Sequence, residues 1–389
     1  MEETDVTIAT CHESLKDLAS WALLASADGI GPRYFTHVLN YLSKHEVGWD
    51  AFWVKFEKHL RKIPLHESIV QNVKKLTIEY SCTTYLEWLE EQDVSVLPAF
   101  AQNYPPLLRH CDDLPPVLFC RGSLPVLQLP LAIVGTRHMT SYGALATRRL
   151  AAELATQGVQ VVSGFMYGVD VLAQETALGN GGLTVGVLAF GFNQMYPKTH
   201  ASLFREFLDR GAVFVTEHPP DRKPVIASFP RRNRLLAGMS YGVLVTEAAQ
   251  QSGSHITARL AGEYGREVFA VPGPLTNPYS EGTKELVNQG AQLVTCAADI
   301  IRSIGEVAAN MGYGSVAVAD TTSNNPTPAP HAALPVLQQQ ILQKLEEQPQ
   351  NFTQIQTLCA QPPPVILEHL LILESQGYTR HVGEVWVLA

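Results

Sequence analysis

The sequence predicts an α/β protein built around a Rossmann-like, doubly wound and mainly parallel sheet. Short apolar runs alternate with helical patterns from 131 to 304, as repeated β-α units do. Glycine-rich and serine-rich turns follow several of these runs, where the carboxyl ends of parallel strands meet helix N-termini. We expect a small helical domain before this sheet and a winged-helix domain after it.

Residues 1–92 are predicted to form the small helical domain, because apolar side chains recur with a helical period on both sides of Gly29-Ile30-Gly31. Two helices joined by such a turn are typical of helix-hairpin-helix modules, whose backbone N–H groups hold a phosphate. They are also typical of sterile-alpha-motif-like bundles, and a plain turn between two helices explains the same residues.

Residues 93–304 are predicted to form the Rossmann-like core. A proline-studded connector comes first and holds one short strand at 117–120. Short runs rich in apolar residues then indicate buried strands at 131–134, 159–162, 184–188, 212–215, 242–245, 267–271 and 291–294.

Residues 305–333 combine low hydrophobicity with repeated proline, which predicts a flexible linker. Residues 334–389 show three helical patterns and a hairpin pattern, which together are typical of a winged-helix domain. The third of these helices, at 364–376, contains no Lys or Arg, and the domain is acidic. We therefore expect a protein-contact or structural module rather than a reader of DNA.

The charge distribution points to a local anion site rather than a globally basic protein. The formal net charge is -9. Between 131 and 297, however, 14 Lys and Arg stand against 12 Asp and Glu. The part of the chain with the glycine-rich turns is therefore the only part that is not acidic.

Several classes of protein are excluded. The six cysteines form no C-x-x-C pair, so we expect neither a zinc site nor a disulfide framework. The N-terminus is polar and acidic, and no apolar run is long enough to span a membrane, which favours a cytoplasmic protein. Neither a G-x-S-x-G elbow nor an H-E-x-x-H motif occurs, so no catalytic residues, metal or cofactor are predicted.

Two turns that follow predicted strands carry groups suited to phosphate. Gly135, Thr136 and Arg137 combine a close backbone approach with a hydroxyl and a guanidinium before a helix. This turn lacks both the G-x-G-x-x-G fingerprint and the ending of a Walker A loop. The second turn begins at Ser163 and Gly164.

Within the second turn, Asp170 is a candidate base or ligand, or a cap of the next helix. Phe165 and Tyr167 either stack on bases or pack in the core.

Further candidates follow later predicted strands. Lys198 is a candidate phosphate contact, and the serine-glycine turn stands at a helix N-terminus, a usual anion site. Because the turns follow parallel strands, they are expected to converge at one sheet edge. An arginine cluster just upstream of the serine-glycine turn supplies positive charge for an anion. The cluster and the turn together contribute the candidates Arg231, Arg232, Asn233, Arg234, Ser252, Gly253 and Ser254.

Together these stretches resemble the DNA-processing protein A (DprA/Smf) family over roughly 93–302. The family's motifs appear here as Gly135-Thr136-Arg137, SGFMYGVD, VLAFGFNQMYP, FPRRNRLLAG and EAAQQSGSHITA. The resemblance implies a non-enzymatic protein that binds single-stranded DNA in a basic pocket of the Rossmann-like domain. It also implies a homodimer that protects incoming DNA and helps to load the RecA recombinase in natural transformation.

By position, the resemblance assigns the DNA-contact role first to Arg137 and Lys198 and then to the arginines of FPRRNR. The same sequence also allows Arg232 or Arg234 to brace the sheet through Glu247. The chain departs from the family pattern at Thr136, where Ser is usual. It also departs at three further positions or stretches, which make the anion pocket poorer by about one charge: Phe165-Met166-Tyr167 in place of Leu-Ala-basic, Gln174 in place of His, and Asn193 in place of Asp.

Two other functions fit parts of the sequence. Small α/β enzymes that cleave nucleoside monophosphates have a similar core, and Glu247 would then be the general acid or base. A pure protein-assembly scaffold would bind no DNA.

Overall fold

The computed structural model of the chain describes residues 15–250, 252–311, 335–347, 350–359, 361–375, 378–382 and 385–388. Its contacts divide the chain into two units, with the division between 318 and 319. The first unit holds the N-terminal helices and the large sheet, and the second holds the C-terminal elements.

The first unit begins with helices that pack around aromatic side chains. Trp21, Phe35 and Phe52 are almost fully buried there, and the last helix starts with a capping box between Ser81 and Thr84. Six helices are described in this region: α1 (Leu15–Ser26), α2 (Pro32–Lys44), α3 (Trp49–Val54), α4 (Phe56–Leu60), α5 (Glu67–Glu79) and α6 (Cys82–Glu91).

A nine-stranded sheet follows, with the strand order β1-β2-β6-β5-β4-β3-β7-β8-β9. The strands from β6 to β9 in this order pair in parallel, whereas β1 and β2 are antiparallel additions. The strands are β1 (Ser95–Pro98), β2 (Val117–Arg121), β3 (Pro130–Val134), β4 (Gln160–Ser163), β5 (Thr184–Val187), β6 (Val213–Thr216), β7 (Gly242–Val245), β8 (Glu267–Ala270) and β9 (Gln292–Leu293).

The predicted Rossmann-like sheet is confirmed, and the central strands lie where the apolar runs indicated. Every residue of β3, β5, β6 and β7 is buried, as expected for parallel strands covered on both faces. Strand β1 was not predicted, because its Ser-Val-Leu-Pro sequence was interpreted as part of the connector.

Helices alternate with the strands of the sheet. Thr140 caps the N-terminus of α7 and Ser252 caps that of α11, each through its side-chain oxygen. The last helix of the unit continues past 304, where the linker was expected to begin. The helices are α7 (Ser141–Thr156), α8 (Val169–Gly179), α9 (Ala201–Asp209), α10 (Ser228–Gly238), α11 (Gly253–Glu263), α12 (Glu281–Asn288) and α13 (Ala297–Asn310).

The second unit has its own small core of aliphatic side chains and Trp386. Its three helices lie close to their predicted positions, and its strands pair antiparallel in the order β10-β12-β11. The predicted linker residues from 312 onward lie outside the described residues. The elements are α14 (Val336–Glu347), β10 (Gln350–Asn351), α15 (Phe352–Cys359), α16 (Pro363–Ser375), β11 (Thr379–Val382) and β12 (Val385–Leu388).

Among the helices of the described ranges, none combines the length and the apolar character needed to cross a membrane.

Candidate nucleic-acid interface

The backbone of Thr136 joins three strand-end loops at one edge of the sheet. Its N–H donates to the carbonyl oxygen of Glu247 after β7 at 2.7 Å, and its carbonyl oxygen accepts from the N–H of Val169 after β4 at 3.2 Å. Its hydroxyl accepts from the N–H of His138 at 3.1 Å. The predicted convergence of these loops is thus built from direct hydrogen bonds.

Glycine at position 168 permits this close approach. Gly168 has a φ of 80°, a left-handed conformation that favours glycine. A Cβ placed there would lie 2.3 Å from the carbonyl oxygen of Thr136 and 2.8 Å from the Cα of Arg137. The loops after β3 and β4 therefore touch backbone to backbone, and Arg137 stands beside the junction.

The carboxylate of Glu247 is engaged by neighbouring loops rather than by the arginines. Its Oε1 accepts from the Thr140 hydroxyl at 2.6 Å and from the Asn277 amide at 2.7 Å, and its Oε2 accepts from the Thr140 N–H at 2.8 Å. Glu247 is 2% exposed. The hypothesis that Arg232 or Arg234 braces the sheet through Glu247 is therefore wrong.

Arg232 is buried and holds the ends of two strands. Its Nη1 donates to the backbone oxygen of Gly164 at 2.8 Å and to that of Val187. Asp170 lies beside it, since a Cβ at Gly164 would meet the Arg232 guanidinium at 2.5 Å and the Asp170 carboxylate at 2.6 Å. Arg232 thus fastens α10 across the carboxyl ends of β4 and β5.

Asp170 occupies the first turn of α8, whose N-cap is Gly168, so Asp170 is not the predicted N-cap. Burial raises the pKa of Asp170 to about 6, and the charge of Arg232 opposes part of that rise. Burial also lowers the pKa of Arg232 to about 10. The two buried groups stabilise each other's charged forms while desolvation disfavours both.

Arg234 is also buried, and its guanidinium binds residues of two loops beside the sheet. Its Nη2 pairs with Glu217, and its Nη1 donates to the backbone oxygen of Asp113 at 2.7 Å. Its Nε lies 3.4 Å from the Asp113 carboxylate. Of the three arginines in FPRRNR, only Arg231 keeps an exposed side chain, which is 55% accessible.

An exposed guanidinium lies next to an aromatic ring, which in turn lies next to a second ring. The Cζ of Arg137 is 5.8 Å from the centroid of the Phe229 ring, and the Phe229 centroid is 5.4 Å from that of Tyr196. Tyr196 is 41% exposed, and Lys198 is exposed two residues further along the chain. Cations and π-faces of this kind are the two components of single-strand binding surfaces.

The two aromatic residues of the loop after β4 differ in their burial. Phe165 is fully buried and contacts the rings of His200 and Phe214, so it packs. Tyr167 is 46% exposed, and its hydroxyl lies 2.5 Å from that of Thr199. Only Tyr167 of this pair remains available for stacking.

The serine-glycine turn lies next to α10. Ser252 Oγ accepts from the N–H of Ser254 at 3.3 Å and lies 2.8 Å from Ser254 Oγ. Asn233 donates its amide to the carbonyl oxygen of Gly253 at 3.3 Å. Gly253 is exposed, which places the start of α11 beside the exposed part of α10.

Ser163 has a structural role, because its hydroxyl donates to the backbone oxygen of Ile133 at 2.6 Å and is fully buried.

Sequence reasoning missed Phe229 and Tyr196 as candidate site residues. Both stand inside the quoted motifs, FPRRNR and QMYP, so their aromatic character beside a basic residue was the available signal.

Two departures from the family pattern also have defined surroundings. Asn193 donates its amide to the Asp221 carboxylate at 2.9 Å. Gln174 is fully buried, and neither atom of its amide has a hydrogen-bond partner within the described structure. The Asn193 amide therefore binds a neighbouring side chain of the protein, and the Gln174 side chain is enclosed in the protein interior.

Comparisons with known proteins confirm the resemblance. A family model described as DNA recombination-mediator protein A matches residues 95–305. Protein Smf of Escherichia coli (strain K12) is 36% identical over 335 residues, which cover 84% of this chain and 87% of that protein. DNA processing protein DprA of Bacillus subtilis (strain 168) is 38% identical over 218 residues, which cover 56% of this chain and 73% of that protein.

The X-ray structure of DNA processing protein A (DprA) from Streptococcus pneumoniae superimposes with a TM-score of 0.62 at 28% identity, covering 75% of this chain and 98% of that one. The matched family region contains the whole edge built by Thr136, Arg137, Lys198 and α10. The chain belongs to the DNA recombination-mediator protein A family.

Proposed function

We propose that the chain binds single-stranded DNA at the sheet edge where Arg137, Phe229 and Tyr196 lie together. The observation that carries this function is the guanidinium of Arg137 beside the Phe229 ring, which lies next to the well-exposed ring of Tyr196. Bases stack on such rings only when they are not already paired in a duplex, whereas the cation neutralises phosphate.

In this proposal, fewer residues contact DNA than the sequence suggested. Arg137, Lys198, Arg231, Asn233 and the start of α11 face solvent and contact DNA in this proposal. A second group lies beneath them and holds the loops in place: Gly135, Thr136, Ser163, Gly164, Arg232, Arg234 and Ser254.

Membership of the family supports a biological role in DNA processing. The relative from Bacillus subtilis is named a DNA processing protein, and the family model is named for mediation of recombination. In our proposal the chain acts in the cytoplasm as a homodimer that protects incoming DNA and helps to load the RecA recombinase. Light scattering that finds only monomer at micromolar concentration would contradict the dimer.

In this proposal the chain is not an enzyme. The alternative of nucleoside-monophosphate cleavage requires Glu247 to reach a substrate. Its two carboxylate oxygens already accept three hydrogen bonds, and the residue is 2% exposed, which argues against that role. Incubation with nucleoside monophosphates should therefore release no free base.

A gel shift across a salt series, with single-stranded and duplex oligonucleotides, tests the main proposal. Each phosphate neutralised on a single strand contributes about -0.7 to the slope of log K against log salt. With about three to five contacts we expect a slope of roughly -2 to -3.5 and a preference for the single strand. A slope shallower than about -1 contradicts the proposed surface.

A further inference from the structure

A cleft of about 300 Å³ lies beside the N-terminal turn Gly29-Ile30-Gly31. The start of α2 forms one wall. The start of the loop after β6, with Glu217 and His218, forms another, and Arg231 of α10 reaches into the same space. A Cβ placed at Gly31 would lie 3.0 Å from the Nη2 of Arg231.

One side of this cleft is suited to an anion. Arg33, Arg222 and Arg231 line it, against the carboxylates of Asp28 and Glu217. Asp28 is paired with Arg222, and Glu217 is paired with the buried Arg234, so positive charge is left over. Gly31 is the N-cap of the 13-residue helix α2 and provides no side-chain cap, so first-turn N–H groups remain for an acceptor.

The other side holds buried polar atoms without partners. The Glu217 side chain is only 9% exposed, and its Oε1 accepts no hydrogen bond within the described structure. Arg231 Nε lies 3.9 Å from this oxygen. His218 Nε2, in the next residue, also has no hydrogen-bond partner there. Buried polar atoms of this kind destabilise a protein unless something satisfies them.

We propose that this cleft is a nucleotide-binding site, with the phosphate on Arg33, Arg231 and the start of α2 and the base edge on Glu217 and His218. A carboxylate oxygen accepts from the ring N–H or amino groups of a base, which an inorganic anion cannot supply. The ligand is therefore a nucleotide rather than free phosphate.

Arg231 connects this cleft to the first surface. It lies two residues after Phe229 on α10, and Phe229 contacts Arg137. Because residues two apart in a helix lie on different sides of it, a single strand would pass from the Arg137 surface to Arg231 by crossing the start of α10. The nucleotide in the cleft is thus either a unit of the same DNA strand, in which case the inference rests on the proposed function, or a free nucleoside monophosphate.

Two substitutions test the cleft in the full chain. Arg33→Ala removes one guanidinium from it. Gly31→Asp places a carboxylate where the phosphate would lie, while Asp is a favourable N-cap residue and Gly31 has an ordinary backbone conformation with a φ of -92°. Thermal unfolding of Gly31→Asp should therefore show an unchanged or slightly higher Tm. Arg302→Ala, on a side chain that is 67% exposed in α13, is the control.

The probes are an oligonucleotide of about 20 nucleotides, longer than most single-strand site sizes, and adenosine 5′-monophosphate. If the strand occupies the cleft, Arg33→Ala weakens oligonucleotide binding about tenfold and makes the salt slope shallower by about 0.7. Gly31→Asp weakens binding at least as much. If the free nucleotide occupies it, both variants lose adenosine 5′-monophosphate binding in calorimetry and keep oligonucleotide affinity.

The inference is overturned if both variants bind both probes as Arg302→Ala does. That result is separable from failure of the proposed function. If the chain does not bind the oligonucleotide but binds adenosine 5′-monophosphate in a manner that depends on Arg33, the single-strand function is rejected and the cleft is kept. Loss of oligonucleotide binding only in Arg137→Ala, together with unchanged adenosine 5′-monophosphate binding in both cleft variants, would keep the function and reject the cleft.

Discussion

The guanidinium of Arg232 donates a hydrogen bond from Nη1 to the backbone oxygen of Gly164 at 2.8 Å. The same nitrogen also donates to the backbone oxygen of Val187. Arg232 thereby ties α10 to the ends of two neighbouring parallel strands. Because it is 4% exposed, its role is to hold the surface that carries Arg137, Phe229 and Tyr196.

Arg232→Ala should therefore destabilise the fold strongly. The substitution leaves Asp170 buried without its cationic neighbour and removes the donors for two backbone oxygens. Loss of one member of a buried charged pair costs about 3–5 kcal/mol, and urea unfolding measures it. Arg231→Ala, on an exposed side chain in the same helix, should change stability by less than about 0.5 kcal/mol. Equal effects of the two variants would refute this assignment.

The buried carboxyl of Asp170 should make stability depend on pH. Its pKa rises from 3.8 to about 6 on folding, chiefly through burial. The folded chain therefore holds this proton more tightly than the unfolded chain does. Stability from this group is complete below about pH 4 and is lost as the pH rises through about 6.

Comparison with Asp170→Asn isolates that contribution. The free energy of unfolding of the unsubstituted chain, measured relative to the variant, should fall between pH 4 and pH 7. A difference that stays flat over this range would show that the carboxyl titrates alike in both states. Carbon-13 NMR of the carboxyl group gives its apparent pKa independently.

Alanine substitutions at two glycines distinguish the stability cost of backbone strain from that of steric overlap. Gly158 and Gly168 have φ angles of 78° and 80°. A Cβ at Gly158 would meet nothing within 4 Å, whereas one at Gly168 would overlap the carbonyl oxygen of Thr136. Gly158→Ala should cost about 1 kcal/mol, and Gly168→Ala about 2–5 kcal/mol. Chemical denaturation of both variants checks the difference, and equal costs would mean that the two loops separate easily.

The sequence allowed good prediction of the sheet because buried parallel strands appear as continuous apolar runs. Gly242–Val245 was predicted at the bounds that the structure has. The roles of the arginines could not be predicted in the same way. Arg231, Arg232 and Arg234 share one short helix, and which of them points to the sheet depends on how that helix crosses the strand ends. Likewise, the partners of Glu247 come from Thr140 and Asn277, far from it in the chain.

Arg137→Ala should weaken the binding of single-stranded DNA without preference for sequence. A lost charge-assisted hydrogen bond to phosphate contributes about 1–3 kcal/mol, and the salt slope should become shallower by about 0.7. Fluorescence anisotropy with oligonucleotides of different sequence measures both quantities. Arg302→Ala should leave them unchanged. A folded Arg137→Ala variant with normal affinity would place Arg137 outside the DNA-contact set.

Removal of the C-terminal unit should leave single-stranded DNA binding almost intact. Within α16, Ile366, Leu370 and Leu373 are buried in that unit's own core, and the helix has no Lys or Arg in its sequence. From 334 to 389 the chain holds two basic against five acidic side chains, so the field of this unit opposes DNA. A chain that ends after Asn325 should keep its affinity within about threefold, or ~0.7 kcal/mol. Circular dichroism confirms that the truncated chain is folded, and a loss of about tenfold or more from such a chain would assign DNA contacts to the C-terminal unit.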